Sequence, residues 1–293
     1  MSRTIRCRGQ LAALALLLFI LAQPALAQPR RGRPAQENRR ADLAERYLLP
    51  IRREFTVDGQ SRSALVFAPR TSRERPTPLV LMFHGSGGTS EKSARMVGLH
   101  REWPQAIVVY PQGRTRDQGP MSGKTGWRLR EDGDLAFVDH LLTTLKAELN
   151  VDADRIHAAG HSNGGFFCYL LWQQRGDVFA SYSPVACFSR QTREGFSPAP
   201  VFHVAGRKDP LVQLQEQMET VRWVQEVNRC SEGVRTRDPG CRLFRSEIQK
   251  PLLVMIHPGG HEFPESAVPV MVRFFRRQSR GPVDNSSTDA AVQ

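Results

Sequence analysis

The sequence predicts an α/β fold with a mostly parallel central sheet and helices on both of its faces. Continuous apolar runs, which are typical of strands covered on both faces, alternate along the chain with segments of helical periodicity. The chain has 293 residues, which is long enough for one such domain and only marginally long enough for two. We therefore expect one domain at residues 46–278.

The predicted elements begin with an antiparallel edge hairpin that turns at Asp58-Gly59. Its two strands are Glu54–Val57 and Ser63–Phe67. Buried strands are then expected at Leu79–Phe83, Ala106–Tyr110, Arg155–Ala159, Val201–Val204 and Leu252–Ile256. Apolar residues at helical spacing predict helices at Asp134–Leu149, Leu214–Val227 and Pro264–Arg277.

The start of the chain resembles an export signal. Three arginines among the first eight residues precede the apolar run Leu11–Leu21, and Ala25-Leu26-Ala27 fits the small-residue cleavage pattern. We expect a signal peptide at 1–27, a disordered basic leader at 28–45 and a disordered tail at 279–293. The mature protein would be secreted, either outside the cell or into the periplasm, without a membrane span. An uncleaved anchor is the alternative.

The chain is basic, with 41 Lys and Arg residues against 29 Asp and Glu residues and a formal net charge of +12. Its arginines are spread along the sequence and no nucleic-acid module is recognisable, so we expect no nucleic-acid partner. A generally solvated basic surface is one interpretation, and affinity for an acidic polysaccharide is the other.

Signal cleavage would leave four cysteines in a compartment that permits disulfides: Cys168, Cys187, Cys230 and Cys241. The short separation of Cys230 and Cys241 makes this pair the first candidate for a bridge. Cys168 and Cys187 would form a second bridge or act as small buried apolar residues.

The main chemical signal is Gly160-His161-Ser162-Asn163-Gly164, which stands between the strand Arg155–Ala159 and the apolar helical stretch Phe166–Leu171. Strand, sharp turn and helix together are typical of a nucleophile elbow, in which small neighbours allow a strained serine to project above the sheet. We therefore predict that Ser162 is a catalytic nucleophile. The alternative is a glycine-rich turn with a capping serine.

A serine nucleophile needs a base to take its proton and an acid to orient that base. Asp209 follows the strand Val201–Val204, and His261 lies in a glycine-rich loop after Leu252–Ile256, in the order that this arrangement requires. We predict that both complete a triad. A turn residue is the alternative for Asp209, and His257 is the other candidate base.

The loop His84-Gly85-Ser86-Gly87-Gly88 follows the strand Leu79–Phe83. This position supplies one N–H group of an oxyanion hole, and the residue after the nucleophile supplies the other. We therefore predict that the backbone amides of Ser86 and Asn163 form the hole. The loop lacks the Lys and Ser/Thr ending of a nucleotide-binding loop, and the chemistry requires no metal or cofactor.

These motifs resemble those of the secreted α/β-hydrolase esterases that include polyhydroxybutyrate depolymerases, feruloyl esterases and acetylxylan esterases. The resemblance extends from Glu54 to Arg277 and implies the same triad of Ser162, Asp209 and His261. The matching segments are Phe83–Gly88, Tyr110–Gly113, Gly126-Trp127, Asp134 with Phe137-Val138, Gly160–Gly165, Asp209-Pro210 and Gly260–Pro264.

The chain departs from this family at two positions. It has His161 before the nucleophile, where other residues are common, and Phe263 where tryptophan is common. Both are expected to line the acyl or alcohol pocket. Trp127 also corresponds to a tryptophan that the family places near the site, with packing in the core as the alternative.

The resulting hypothesis is a secreted serine carboxylic-ester hydrolase that acts through an acyl-enzyme. Its expected substrates are feruloyl or acetyl esters linked to polysaccharide, or polyhydroxyalkanoate esters. A serine peptidase on the same fold and a non-catalytic binding protein on a hydrolase scaffold are the alternatives.

Overall fold

The computed structural model describes residues 42–43, 45–48, 51–119, 121–130 and 132–280. The predicted signal, most of the predicted leader and most of the predicted tail lie outside these residues. Twelve strands occur in the described part of the chain: β1 (Arg52–Val57), β2 (Gln60–Phe67), β3 (Thr77–Phe83), β4 (Ile107–Pro111), β5 (Arg114–Thr115), β6 (Thr125–Gly126), β7 (Val151–His161), β8 (Ser181–Val185), β9 (Val201–Gly206), β10 (Val234–Arg235), β11 (Cys241–Phe244) and β12 (Leu252–His257).

Ten of these strands form one sheet in the order β1-β2-β4-β3-β7-β8-β9-β12-β11-β10. Its six central strands, from β4 to β12 in that order, pair in parallel. Antiparallel pairs close both edges, and β5 and β6 form a separate hairpin. The predicted α/β fold with a mostly parallel sheet is therefore confirmed.

Helices cover both faces of the sheet. They are α1 (Ser90–Val97), α2 (Leu99–Glu102), α3 (Asp132–Glu148), α4 (Asn163–Gln174), α5 (Leu214–Val227) and α6 (Ala267–Arg276). Apolar residues of α3, α4 and α5 pack in one core cluster, and those of α1, α2 and α6 pack in another. All seven residues of β3 are buried, because successive side chains enter the two clusters alternately.

One central strand, β8, has no apolar run that would predict it. It contains Ser181, Ser183 and Pro184, and all of its residues are buried. The Ser181 hydroxyl lies 2.8 Å from His157 Nδ1, and the Ser183 hydroxyl donates to the Phe202 carbonyl at 2.9 Å. These hydrogen bonds offset the cost of burying the hydroxyls, so polar residues are tolerated in the middle of the sheet.

A buried ion pair joins the edge of the sheet to α3. Arg62 Nη2 lies 2.7 Å from Asp134 Oδ1, and the two side chains are 4% and 0% exposed. The other oxygen, Asp134 Oδ2, accepts the Arg128 N–H at 2.7 Å. Asp134 therefore anchors the segment that enters α3 as well as β2.

The predicted disulfide is not present in the structure, where Cys168, Cys187, Cys230 and Cys241 are all free thiols. Cys241 belongs to the core cluster beneath α1, α2 and α6, whereas Cys230 packs against the cluster on the opposite face. The short sequence separation that suggested a Cys230–Cys241 bridge is thus misleading, because the intervening chain places the two thiols on opposite sides of the sheet.

No helix in the described ranges is long and apolar enough to cross a lipid bilayer.

Candidate active site

Ser162 occupies a sharp turn between β7 and α4. Its backbone angles are φ 53° and ψ −117°, a conformation that a non-glycine residue adopts only when its surroundings impose it. A side chain at Gly160 would collide with the Gly164 carbonyl group, and one at Gly164 would collide with the Phe83 carbonyl group. The glycines therefore permit the close approach of strand and helix that the turn requires.

Ser162, His261 and Asp209 form a continuous hydrogen-bonded chain. Ser162 Oγ lies 2.8 Å from His261 Nε2, and His261 Nδ1 lies 2.8 Å from Asp209 Oδ2. Because a carboxylate can only accept, His261 donates through Nδ1 and is left with Nε2 to accept the serine proton. This is the geometry of a nucleophile with its general base and orienting acid.

The acid is itself fixed by its own loop. Asp209 Oδ1 accepts the backbone N–H groups of Leu211 and Val212, each at 2.9 Å, and its side chain is fully buried. The side chain of His261 remains 17% exposed. The carboxylate end of this hydrogen-bonded chain is therefore buried and fixed, whereas the imidazole end is accessible to solvent.

Two neighbouring strands bring the acid and the base together. Asp209 follows β9 and His261 follows β12, and these strands pair in parallel up to Gly206 and His257. Beyond the strands, the Lys208 N–H group donates to the Gly259 carbonyl at 2.9 Å. The two loops are therefore held as one unit.

The two backbone amides that the sequence predicts as oxyanion donors are unpaired. Within the described residues, neither the Ser86 N–H nor the Asn163 N–H has an acceptor in the protein. The Ser86 loop is held from below by His84, whose Nδ1 lies 2.8 Å from the Gly85 carbonyl and whose Nε2 accepts the Gly113 N–H at 2.9 Å. Burial lowers the pKa of His84, which favours the neutral imidazole that this acceptor role needs.

Comparison with solved structures agrees with this architecture. An acetyl xylan esterase from Aspergillus awamori superposes with a TM-score of 0.61 at 14% identity, over 76% of this chain and 98% of that protein. A feruloyl esterase module from Clostridium thermocellum superposes with a TM-score of 0.58 at 12% identity, over 77% of this chain and 87% of that module. The chain has the α/β-hydrolase fold.

Sequence relatives of this α/β-hydrolase-fold chain match it over only about half of its length. A bifunctional acetylxylan esterase/xylanase of Neocallimastix patriciarum is 27% identical over 165 residues, which are 54% of this chain and 23% of that protein. NocK, a proposed esterase of Nocardia uniformis subsp. tsuyamanensis, is 30% identical over 170 residues, which are 54% of this chain and 48% of that protein. The chain thus spans about a quarter and about half of these relatives, and no family model matches it.

His161, which the sequence predicts to line the substrate pocket, contacts the loop that carries His261. Its Nε2 donates to the backbone carbonyl of His261 at 2.8 Å, so it fastens the base loop to the nucleophile turn. Burial lowers the pKa of His161 to about 4, and the imidazole is therefore neutral near pH 7. The ring of Phe263, which is partly buried, lies 6.3 Å from that of His161.

Trp127 does not line an open pocket. It is fully buried, and the centroid of its ring lies 5.0 Å from that of Phe83 and 5.3 Å from that of Phe167. Its indole Nε1–H donates to the His84 carbonyl at 2.9 Å. The expectation of a pocket-lining residue is therefore corrected to the alternative of core packing, beneath the oxyanion loop.

Gln112 supports the site, a role that the sequence analysis does not predict for it. Its Oε1 accepts the Ser90 N–H at 2.9 Å, and its Nε2 donates to the Gly113 carbonyl at 3.0 Å. It thereby braces Gly113, which bonds to His84. Its place directly after the buried strand β4, at the edge where the other site residues emerge, is the signal that could have identified it.

His257, the alternative base, is buried at the end of β12 and accepts the Gly259 N–H through Nδ1 at 3.2 Å. The structure thus brings His261, not His257, to Ser162. Among the described residues, no group of three or more His, Cys, Asp or Glu side chains is arranged to hold a metal ion.

Proposed function

We propose that the protein is a carboxylic-ester hydrolase that acts through an acyl-enzyme on Ser162. The observation that carries this proposal is the hydrogen-bonded chain from Ser162 Oγ through His261 to Asp209. The two unpaired amides of Ser86 and Asn163 beside the nucleophile support it further. Relatives and structural neighbours with esterase names give independent support for ester hydrolysis.

In the first half of the reaction, His261 Nε2 takes the Ser162 proton as the oxygen attacks the ester carbonyl carbon. Negative charge develops on the carbonyl oxygen, and the N–H groups of Ser86 and Asn163 stabilise it. Asp209 holds the imidazolium that forms. The tetrahedral intermediate then expels the alcohol, which receives the proton from His261, and Ser162 carries the acyl group.

In the second half, water replaces the alcohol. His261 takes a proton from water as it attacks the acyl-enzyme, and the same two amides stabilise the second oxyanion. Collapse of this intermediate releases the carboxylic acid and returns the proton to Ser162. The complete reaction consumes one ester molecule and one water molecule and leaves the enzyme unchanged.

The proposed substrates are acetyl or feruloyl esters linked to polysaccharide. The names of an acetylxylan esterase relative and of acetylxylan and feruloyl esterase structures support this choice. Polyhydroxyalkanoate esters are the other proposed class and rest on motif resemblance alone. Secretion through the signal at 1–27 and affinity of the basic chain for acidic polysaccharide also remain proposals.

A serine peptidase is the second candidate function. An acylaminoacyl peptidase superposes with a TM-score of 0.54 at 12% identity, so the same fold also carries peptide hydrolysis. Rates on matched aminoacyl esters and aminoacyl amides separate the two functions. An esterase is expected to hydrolyse the ester and leave the amide intact, whereas a peptidase hydrolyses both.

Labelling with a fluorophosphonate tests the catalytic proposal directly. The wild-type protein and a Ser61→Ala variant, which changes an exposed serine on β2, should both be labelled and should both hydrolyse p-nitrophenyl acetate. Ser162→Ala should lose the label and all but residual activity. Labelling or near-normal turnover in Ser162→Ala would contradict the mechanism, and an unlabelled, inactive wild type would support a non-catalytic scaffold.

Substrate class requires a separate panel. Acid release is measured from acetylated xylan, from feruloylated xylan and from polyhydroxybutyrate, with Ser162→Ala as the blank. Release from either xylan but not from the polyester is expected. Release of hydroxybutyrate alone would overturn the polysaccharide assignment.

A further inference from the structure

The two proposed oxyanion donors come from separate parts of the chain. Ser86 lies in the loop after β3, and Asn163 is the first residue of α4. An oxyanion hole works only if both N–H groups reach one oxygen, so their spacing has to be fixed. Building on the proposed function, we propose that Trp127 is a positioning residue that sets this spacing together with the Asn163 side chain.

The first link joins Asn163 to Trp127. Asn163 Oδ1 accepts the Trp127 backbone N–H at 2.6 Å, and Asn163 Nδ2 donates to the Trp127 carbonyl at 3.2 Å. The Asn163 amide group is thus bonded through both of its polar atoms to one buried residue. A Cβ at Gly126 would lie only 2.6 Å from Asn163 Oδ1, so this position needs glycine.

The second link joins Trp127 to the oxyanion loop. The indole Nε1–H donates to the His84 carbonyl at 2.9 Å, two residues before Ser86. The indole is rigid and fully buried between Phe83 and Phe167, so the length and direction of its hydrogen bond to His84 have little freedom to change. Asn163, Trp127 and His84 therefore form a fixed connection between the two halves of the hole.

The far side of the same loop is tied to the residue two positions before Trp127. The Gly87 N–H donates to the Thr125 carbonyl at 2.8 Å, and Thr125 Oγ1 donates to the Gly88 carbonyl at 2.6 Å. The oxyanion loop is thus bonded to the segment 125–127 on both sides of Ser86, through His84 before it and through Gly87 and Gly88 after it. The Ser86 N–H itself remains unbonded and faces no competing acceptor among the described residues.

This arrangement predicts a specific kinetic effect. The oxyanion exists only in the transition state and the tetrahedral intermediates, so misplaced donors slow the chemical step and leave substrate binding largely unchanged. Loss of one oxyanion donor lowers kcat by about 10²–10³-fold in a serine hydrolase, and a displacement of the donor should cost somewhat less.

Trp127→Phe tests the inference, with Trp172→Phe as its matched control. Both tryptophans are fully buried, and each donates its indole N–H to a backbone carbonyl, that of Ser197 at 2.7 Å for Trp172. The two changes are therefore similar in packing and in the lost hydrogen bond, but only one removes the link to His84.

We expect Trp127→Phe to lower kcat by roughly 10- to 100-fold with KM within about twofold, and Trp172→Phe to keep kcat within about twofold of wild type. An aryl boronic acid, which forms a tetrahedral adduct with the serine, should bind Trp127→Phe more weakly by a similar factor. Equal kcat values in the two variants, or a Trp127→Phe loss confined to KM, would overturn the inference.

Gly126→Ala provides a second test if Trp127→Phe does not fold. The added methyl group displaces the Asn163 amide without removing the indole, and it should again lower kcat and boronate affinity together. Unchanged kcat in folded Gly126→Ala would also overturn the inference. Failure of the proposed function is distinguishable, because the wild-type protein itself would then neither hydrolyse esters nor react with the fluorophosphonate.

Discussion

Replacement of Asp209 by asparagine should move the imidazole proton of His261 from Nδ1 to Nε2. Asp209 Oδ1 accepts two backbone N–H groups at 2.9 Å, and Oδ2 faces His261 Nδ1 at 2.8 Å. An asparagine has one acceptor oxygen, and the two backbone donors of Leu211 and Val212 require it. The NH₂ group then faces Nδ1, so His261 carries its proton on Nε2 and cannot accept the proton of Ser162.

The expected loss is large because the base has the wrong tautomer although the fold is intact. The equivalent change in a serine protease lowers kcat by about 10⁴-fold, which corresponds to about 5 kcal/mol in the activation free energy. Hydrolysis of p-nitrophenyl acetate measures kcat, and near-ultraviolet circular dichroism checks the fold. Asp58→Asn is the control, because Asp58 is exposed in a hairpin turn at φ 51°, which asparagine tolerates.

A value of kcat for Asp209→Asn within about tenfold of wild type would refute the reasoning, since it would show that the acid does not set the tautomer of the base.

Three further predictions concern stability and loop support. Burial lowers the pKa of His157 to about 3 and that of His203 to about 4, so both stay neutral in the folded protein but protonate below about pH 6.5 once unfolded. Together these two histidines should lower the free energy of unfolding, measured by urea titration, by roughly 4 kcal/mol between pH 7 and pH 5. Burial also lowers the pKa of His100 and of His161 to about 4, which adds to the loss over the same range. A pH-independent free energy of unfolding would contradict this. Asp134→Ala should cost about 3–5 kcal/mol by the same measurement because it leaves Arg62 buried and unpaired, whereas loss of a half-exposed acid such as Glu148 should cost at most about 1 kcal/mol. His161→Gln, whose amide can donate to the His261 carbonyl, should keep more of kcat than His161→Ala, and equal kcat values in the two variants would exclude a role for that bond.

The residues of the candidate site that the sequence could predict to lie together are those whose place follows from the order of the strands. Ser162, Asp209 and His261 each follow a strand marked by an apolar run, and parallel strands deliver their ends to one edge of the sheet. The strand β8 could not be predicted in this way, because Ser181 and Ser183 are buried through hydrogen bonds rather than through apolarity.

Contacts across the sheet could not be predicted from local patterns either. The separation of Cys230 and Cys241 along the chain gives no information on which face of the sheet each thiol meets. The position of Trp127 depends on a hydrogen bond to a carbonyl 43 residues away, and a tryptophan near a motif is compatible with either a pocket wall or a buried support. The hydrophobic periodicity of a segment indicates which of its residues are buried, but it does not indicate which other element covers them.

The register of the central strands explains why such distant residues meet. Phe83 on β3 pairs with Gly160 on β7, so the oxyanion loop and the nucleophile turn begin at the same level. Gly206 on β9 pairs with His257 on β12, which places the acid and base loops at the same level on the other side of the site. Among the described strands, β8 alone lies between these two pairs, and its Val185 carbonyl accepts the Ser162 N–H at 2.8 Å. The geometry of the candidate site is therefore set mainly by backbone register, and we expect substrate choice to depend on the side chains of the loops above it. For this reason changes to Trp127 or Asp209 should alter the rate on every ester alike, and selectivity should respond to residues such as Phe263.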